Sequence, residues 1–239
     1  MNNAPKTEET HLSETRAKLL RAAEAHVVFD GWSDATFTAA VEDSGVDSGL
    51  AEIACPRGGL DLAVAYHKAG DLAMVAALEA ADLGAMRYSE RVAYGVRVRL
   101  EATDREAVQR GVSLFALPIH AAEGATLVLG TVSLIWEILG DTSTDVNWYT
   151  KRAILAGVYS SVLLFWLGDD SYESADTWEF LDRRINNVMQ IETFKVKMRD
   201  NSLVKAFMSG PGRFLEHIKA PSKRAQTDFP GYIAPKDEL

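Results

Sequence analysis

Apolar residues recur at intervals of three and four along almost the whole chain, and this helical period is the strongest constraint on its fold. The pattern is clearest in two sets, one near each end of the chain: Leu19, Leu20, Ala23 and Val27, and Trp178, Leu181, Ile185 and Val188. Such spacing places apolar side chains on one face of an α-helix. Strand-like alternation is scarce, and we assign its one short stretch, Val92–Val98, to a helix as well. The sequence therefore predicts an all-α protein.

Glycine, proline and capping residues divide this pattern into separate helices. In the first third of the chain, Gly31, Gly45 and Pro56 end three successive helices. The predicted helices cover residues 13–30, 34–44, 48–55, 60–84, 89–103, 104–117, 123–139, 146–167, 174–192 and 200–218. Residues 1–12 and 220–239 are polar or rich in Pro, Gly and charge, so we predict a disordered N-terminus and a flexible tail.

The composition is that of a globular protein with a substantial core, since 47% of the 239 residues are hydrophobic. A formal net charge of −9 argues against a surface offered broadly to nucleic acid. The single cysteine, Cys55, excludes an intrachain disulfide and is expected to be a buried small hydrophobe. The polar N-terminal segment lacks the apolar run of a signal peptide. The longest uncharged run, which begins at Ala153, is shorter than the roughly 20 residues of a transmembrane helix. We expect a cytoplasmic protein without membrane spans.

The first sixty residues combine a helix, a short helix, a glycine turn and another short helix, which is the layout of a helix-turn-helix domain. The order and lengths resemble the tetracycline-repressor family and predict a helix-turn-helix-like unit at residues 13–57. From Asp34 to Arg57, however, five acidic residues stand against Arg57 alone, a net charge of −4. Phosphate neutralisation supplies most non-specific DNA affinity, so we expect no nucleic-acid binding by this unit. A ligand-responsive transcription regulator remains the alternative.

Catalytic motifs are absent from the sequence, which contains no HExxH, Walker A, GxGxxG, GxSxG or paired CxxC string. The histidines are scattered over different segments: His11, His26, His67, His120 and His217. His26 and His67 fall within apolar helices, where we expect hydrogen-bonded packing residues rather than metal ligands. We predict no catalytic residue, cofactor or metal. A helical enzyme with an unrecognised site is a further alternative.

Two segments of the second half, residues 127–136 and 146–167, are apolar almost all round. A helix of this kind is buried on every side or faces an apolar ligand. Small residues such as Gly157 interrupt the bulk, which permits either close helix packing or an internal void. The pattern leaves a solid core and a lipid pocket equally open. The candidate lipid-contacting residues are Leu134, Ile135, Ile154, Leu155, Val158, Val162, Phe165 and Trp166.

The stretch DTSTDVNWYTKR places aromatic and basic residues at the start of a helix. Asp145 or Asn147 is suited to the N-cap, which puts Trp148 and Tyr149 in the first turn. Arg152 follows Trp148 by four residues and shares its face. Because Trp, Tyr and Arg dominate interface hot spots, the stretch is a candidate partner-binding site. An intramolecular cation–π pair that closes the loop is the alternative.

The segment from Phe194 to Arg224 contains eight basic and two acidic residues. Its apolar residues recur at three- to four-residue spacing, which predicts an amphipathic helix suited to an anionic membrane surface. An ordinary docking helix with a solvated basic face is the alternative. The candidate membrane-contacting residues are Lys205, Phe207, Met208, Arg213, Phe214, Leu215 and Ile218.

Two strings of the second half carry a resemblance to a known family. GDTSTDVNWYTKRAIL and VYSSVLLFWLGDDSYESADTWEFLDRRINNVM are similar to the coenzyme Q biosynthesis accessory protein family, the ninth Coq protein of eukaryotes and its bacterial relatives. The similarity is dense from about Gly140 to Met189 and weaker, but in order, from Leu19 onward. It implies a tetracycline-repressor-like fold that has lost DNA binding. It also implies that the protein holds an isoprenoid quinone precursor or phospholipid and presents it to a coenzyme Q ring hydroxylase.

The resemblance also implies roles for particular segments. It places the hydroxylase-docking patch at Asp145, Trp148, Tyr149 and Arg152, and it favours membrane contact by the amphipathic helix. We therefore expect residues 58–192 to form a lipid-binding body, residues 193–219 the amphipathic helix, and 220–239 the tail. The expected protein is a non-enzymatic accessory protein, a homodimer, and peripheral on the cytoplasmic side of the inner membrane.

Overall fold

The computed structural model describes residues 4–199 and 220, and for residues 4–7 and 189–199 it describes the backbone alone. Within these residues the chain forms α-helices and two 3-10 helices, Leu83–Ala85 and Tyr172–Ser174, with no β-strand. The all-α prediction is confirmed. The α-helices are α1 Ala4–Asp30, α2 Asp34–Ser44, α3 Ser48–Ala54, α4 Gly59–Ala80, α5 Tyr88–Glu101, α6 Arg105–Phe115, α7 Ala121–Ile138, α8 Val146–Leu167 and α9 Ala175–Arg199.

Helices α2 and α3 begin and end where local capping chemistry directs. The Ser33 side chain accepts a hydrogen bond from the backbone N–H of Thr36 at 3.3 Å, which satisfies a free donor at the start of α2. Gly45 ends that helix with a φ of +64°, a conformation that glycine adopts without steric cost. The Asp47 side chain caps α3 by accepting from the N–H of Leu50 at 3.1 Å.

Several boundaries differ from the prediction. Helix α1 begins at Ala4, so residues 4–12 are helical and not disordered as predicted. Pro5 is compatible with this start because the first turn of a helix needs no backbone N–H. Helix α9 runs on to Arg199 because neither Gly nor Pro interrupts the sequence after Ala175. The predicted helix 200–218 and most of the predicted tail lie outside the described residues.

The chain divides into two compact units, which we call unit 1 and unit 2. Unit 1 comprises the described residues up to Ala77 together with Val98–Gly130, and unit 2 comprises Leu78–Arg97 and the described residues from Thr131 onward. This division differs from the predicted boundary near residue 57. Residues of α6 complete the core of the helix-turn-helix-like unit, since Ala107 is buried there and its carbonyl accepts from the indole N–H of Trp32 at 3.0 Å.

The core of unit 1 is a cluster of small and branched apolar side chains. Its buried members are Leu19, Leu20, Ala23, Val27, Trp32, Ala40, Ala51, Ala54, Cys55, Leu62, Ala63 and Ala107. The prediction that Cys55 is a buried hydrophobe is confirmed. Gly59 permits a close backbone approach, because a Cβ there would lie 2.4 Å from the Ser33 carbonyl oxygen. Arg16 donates two hydrogen bonds, of 3.0 and 2.7 Å, to the carbonyl of Ala54 and so caps the end of α3.

A buried polar group links α4 and α5 within unit 1. The Nε of Arg99 donates to Asp71 Oδ1 at 2.6 Å, and its Nη2 donates to the carbonyl of His67 at 2.9 Å. Burial lowers the pKa of His67 to about 4, although the nearby Asp71 carboxylate opposes this shift. Gly70 leaves room for the guanidinium, since a Cβ there would lie 2.6 Å from Arg99 Nη1. His67 is therefore a buried, neutral packing residue at pH 7.

Unit 2 is built around α8 and α9. The rings of Phe165 on α8 and Phe180 on α9 stack with centroids 4.6 Å apart. The buried Asp169 accepts hydrogen bonds from the backbone N–H groups of Ser171 and Thr177 at 2.8 and 2.9 Å. Hydrogen bonds from Ser171 and Thr177 hold the pKa of this carboxyl well below its usual range. Asp169 therefore stays ionised and joins the end of α8 to the start of α9.

Helix α7 differs from the expectation on membrane spans. Among the described residues it alone is long and apolar enough, by length and composition, to cross a membrane. About a fifth of its 18-residue window, 22%, is buried in the structure. The sequence analysis considered only fully uncharged runs, the longest of which begins at Ala153, whereas α7 keeps its apolar character although it contains Glu123 and Glu137. Core helices of globular proteins pass the same test of length and composition, but they are mostly buried.

Candidate functional site

The start of α8 is organised around one carboxylate, Asp141, whose side chain is 1% exposed. Lys151 Nζ donates to its Oδ1 at 2.8 Å, and Arg152 Nη1 donates to its Oδ2 at 3.2 Å. The Ser143 hydroxyl donates to Oδ1 at 2.7 Å. Burial tends to raise the pKa of Asp141, but the hydrogen bonds from Lys151 and Ser143 outweigh it and hold the pKa at about 2. Asp141 is therefore ionised and ties the loop before α8 to its first two turns.

Arg152 is buried, with 4% of its surface exposed. Besides Asp141 it donates to the Ser133 hydroxyl at 3.1 Å and to the carbonyl of Trp148 at 3.2 Å. Its guanidinium carbon lies 3.9 Å from the centroid of the Trp148 ring. The intramolecular cation–π pair that the spacing allowed is thus present. Arg152 holds Trp148 in place and does not itself lie on the surface.

The other three residues of the candidate docking patch lie at the surface within one turn of α8. The Asp145 side chain is the N-cap, as predicted, and accepts from the backbone N–H of Asn147 at 2.9 Å. Trp148 is half-buried, and Tyr149 is exposed, with the two rings edge to face at 4.8 Å. The patch therefore consists of Asp145, Trp148 and Tyr149, supported from the interior by Arg152.

Spacing did not predict the residues that support this patch. Lys151 Nζ lies 5.7 Å from the ring centroid of Trp136, and the Tyr88 ring packs 6.1 Å from the same indole. Asp141 is the first residue of the stretch DTSTDVNWYTKR. Nothing in the local sequence distinguishes it from Asp145, which caps the helix. The two aspartates take different roles because only Asp141 meets Lys151 and Arg152.

The eight candidate lipid-contacting residues lie on α7 and α8 within unit 2, with different degrees of burial. Five are buried: Ile135, Leu155, Val158, Val162 and Trp166. Leu134 and Ile154 are half-buried, and Phe165 is exposed. Helix α8 is not buried on every side, because Gly157 and Leu164 also face solvent. A lipid-contacting role for these residues stays a prediction. The candidate membrane-contacting residues, from Lys205 to Ile218, lie outside the described residues.

The chemistry of the helix-turn-helix-like unit bears on the alternative of a DNA-binding regulator. Arg57 donates to both carboxylate oxygens of Glu123 at 2.9 Å and to Asp61 at 2.8 Å. These hydrogen bonds raise its pKa further above the ordinary range of arginine. The single basic residue between positions 34 and 57 is thus already paired. In the part of the chain that the structure describes, no group of three or more His, Cys, Asp and Glu residues is arranged to hold a metal.

The order of the described helices and the helix-turn-helix-like unit define a protein of the tetracycline-repressor-like fold. The structure is similar to that of the TetR transcriptional regulator from Nitrosomonas europaea ATCC 19718, with a TM-score of 0.60, over 72% of this chain and 97% of that chain. The two sequences are 20% identical, so the likeness concerns the fold alone. The fold that the sequence predicted is confirmed.

Residues 121–192, which include Asp141 and the whole of α8, match the COQ9 family model. The ubiquinone biosynthesis protein COQ9 of Rattus norvegicus is 39% identical over 120 residues, which cover 49% of this chain and 38% of the rat protein. The Drosophila melanogaster COQ9 protein is 32% identical over 183 residues, which cover 74% of this chain and 56% of the fly protein. Over the residues that these matches cover, the resemblance to this family seen in the sequence is confirmed. The matches span between about two fifths and just over half of the relatives' length.

Proposed function

We propose that this chain acts in ubiquinone biosynthesis as a non-enzymatic accessory protein that binds an isoprenoid quinone precursor and presents it to a ring hydroxylase. The names of the matched relatives, ubiquinone biosynthesis proteins, support the pathway. The observation that carries the proposal is the aromatic patch of Trp148 and Tyr149, held on the same unit as α8 and the part of α7 from Thr131 onward. In this proposal the first turn of α8 binds the partner enzyme, and the apolar side chains along the rest of α8 contact the lipid.

The lipid part of the proposal follows from the apolar surface of unit 2. An isoprenoid tail in water costs about 0.8 kcal/mol for each exposed CH₂ group. Side chains such as Ile135 on α7 and Val162 on α8 provide an apolar surrounding that removes this cost. Leu164 and Phe165 are exposed on α8, and they supply apolar surface at which a tail enters. The acyl chains of a phospholipid bind to the same apolar surface in this proposal.

The docking part of the proposal follows from the preorganisation of the patch. Trp148 is held by the cation–π contact with Arg152 and by the edge-to-face contact with Tyr149. A side chain that is ordered before binding loses little conformational entropy on docking. Exposed Tyr and Trp side chains on a rigid helix are the typical hot spots of protein interfaces. The partner enzyme therefore meets a preformed aromatic surface with Asp145 at its edge.

We further propose that the protein is a homodimer peripheral to a quinone-containing membrane, on its cytoplasmic side. Exposed apolar side chains on α7, such as Leu129, supply surface for a second copy or for lipid. The matched relatives are named as mitochondrial proteins, which supports association with a membrane that contains quinone. The regulator alternative receives no support from the paired Arg57 or from the net charge of −4 between residues 34 and 57.

The docking proposal is tested with Trp148→Ala/Tyr149→Ala and with Tyr149→Ala alone. The matched control is Tyr172→Ala, because Tyr172 belongs to the same unit and is 84% exposed. In pull-downs with the ring hydroxylase, the double variant should lose about tenfold or more in affinity, and the control should bind like the wild type. Thermal melting establishes that each variant is folded. Equal binding by the folded double variant would refute the docking assignment.

The lipid proposal is tested by mass spectrometry of small molecules extracted from the purified full-length protein. We expect a co-purifying isoprenoid quinone precursor or phospholipid. A protein that is empty after purification and does not take up added lipid from vesicles would contradict the proposal.

A further inference from the structure

One indole N–H inside unit 2 has no hydrogen-bond partner among the described residues. It belongs to Trp136, which lies near the end of α7. The Trp136 residue is 8% exposed, and its Nε1 atom is buried. No other buried side-chain nitrogen or oxygen in the described part of the chain is left in this way. A buried donor without an acceptor costs free energy, and native proteins rarely leave one unexplained. A ligand oxygen that accepts from this N–H would remove the cost.

The surroundings of Trp136 supply two further donors. Lys151 Nζ lies 5.7 Å from the indole centroid and donates to Asp141 and to Ser143. An ammonium group carries three N–H donors, so one remains for another acceptor. The phenol of Tyr88 packs against the indole with the rings inclined by 32°. Tyr88 is exposed and the Lys151 side chain is 39% exposed, so these two residues form the open edge of the group.

We propose that Trp136, Lys151 and Tyr88 form a site for the ring oxygens of a quinone or phenol head group. This rests on the proposed function and names where the head group of the lipid is held. Each of the three side chains offers an N–H or O–H, so the ligand must bring acceptors. The aromatic side chains of Trp136 and Tyr88 suit a flat, apolar ring that carries those acceptors. A ligand reaches the indole from the open edge that Tyr88 and Lys151 form.

A ring head group fits this site better than a phosphate. The cations next to the site, Lys151 and Arg152, already share the Asp141 carboxylate. Lys151 therefore offers a hydrogen bond while part of its charge is compensated. A neutral carbonyl oxygen needs only the hydrogen bonds, whereas a phosphate needs uncompensated positive charge. Lys151 lies in the second turn of α8, and Asp141 and Arg152 link it to Trp148, so a head group held there is connected to the patch that we propose for the partner enzyme.

The test is Trp136→Phe in the full-length protein, freed of lipid by detergent exchange. This substitution removes the N–H and keeps an aromatic ring. The matched control is Trp178→Phe in the same unit, because the Trp178 indole N–H already donates to the carbonyl of Glu173 at 2.9 Å. Equilibrium dialysis measures the affinity for three probes with the same tail: decyl-benzoquinone, decyl-benzene and decyl phosphate. Thermal melting of the ligand-free proteins provides the second readout.

We expect Trp136→Phe to weaken binding of decyl-benzoquinone about tenfold, because one buried hydrogen bond is lost. Binding of decyl-benzene should be unchanged. The melting temperature of the ligand-free variant should be equal to or above that of the wild type, since an unpaired donor has been removed. Trp178→Phe should instead lower the melting temperature and leave quinone affinity unchanged.

Four outcomes overturn the proposal. Unchanged quinone affinity in Trp136→Phe would mean that a bound water, and not a ligand, pairs with the indole. A wild-type preference for decyl phosphate would refute the ring head group. Equal wild-type binding of decyl-benzoquinone and decyl-benzene would refute the head-group site but leave the lipid-carrier function standing. Binding of none of the probes would count against both.

Discussion

Replacing Asp141 by asparagine should destabilise the protein strongly, because this carboxylate is the common acceptor of Lys151 and Arg152. Asparagine keeps the size of the side chain and removes its charge. Asp141 and Arg152 are 1% and 4% exposed, so the substitution leaves a buried guanidinium without a counter-charge. Removing one partner of a buried ion pair costs about 3–5 kcal/mol.

The pKa of Asp141 supplies a second route to the magnitude. The folded-state pKa is about 2, and the ordinary value is 3.8. This difference corresponds to about 2.5 kcal/mol in favour of the folded state. Because the pKa is lowered on folding, the contribution is present in full above pH 3.8 and is lost as the pH falls towards 2. Lys151 is 39% exposed, and water screens its share, so we expect a total loss of about 2–4 kcal/mol at pH 7.

The measurement is urea unfolding at pH 7, followed by circular dichroism at 222 nm. The matched control is Asp145→Asn, because asparagine caps helices as well as aspartate does and Asp145 is exposed. That control should stay within about 0.5 kcal/mol of the wild type. The combination of Asp141→Asn with Lys151→Met should cost less than the sum of the single variants, since both remove the same contact. A stability of Asp141→Asn equal to that of the control would refute the central role of the carboxylate.

Two further predictions concern the buried His67 and the packing around two glycines. The pKa of His67 in the folded protein is about 4, below its ordinary value of 6.5. Between these two pH values only the unfolded chain binds the proton. The free energy of unfolding should therefore fall by up to about 3 kcal/mol as the pH drops from 6.5 to 4. His67→Gln should flatten that curve, and parallel curves would contradict it. Gly59→Ala should lower the melting temperature because its Cβ would meet the Ser33 carbonyl. Gly157→Ala, with open space around it, should add about 0.5–1 kcal/mol of stability; equal melting of the two variants would refute the packing reasoning.

Sequence reasoning was most successful where the determinants of structure are local. The bounds of α2 and α8 follow from a capping side chain before each helix, Ser33 and Asp145, and in α2 from Gly45 after it. These signals act over three or four residues and need no knowledge of the tertiary fold. The helical period acts over a similar range, so the helix order, and with it the tetracycline-repressor-like fold, could be predicted.

Sequence reasoning failed where one helix meets another. Spacing placed Trp148 and Arg152 on the same face of α8, but it could not tell that this face covers the Asp141 carboxylate and the Ser133 hydroxyl. Arg152 was therefore expected at the surface and is buried. The unpaired N–H of Trp136 could not be predicted either, because whether a donor finds an acceptor depends on all the side chains that surround it.

Because Lys151 and Arg152 share the Asp141 carboxylate, a change at one of these cations affects the other. Lys151 occupies one carboxylate oxygen and Arg152 the other, so a cargo that draws Lys151 away leaves the whole negative charge to Arg152. The guanidinium of Arg152 in turn packs against the ring of Trp148. In the function proposed above, lipid binding and enzyme docking are coupled through Asp141, and linkage then requires that an enzyme bound at Trp148 also changes the affinity for the lipid.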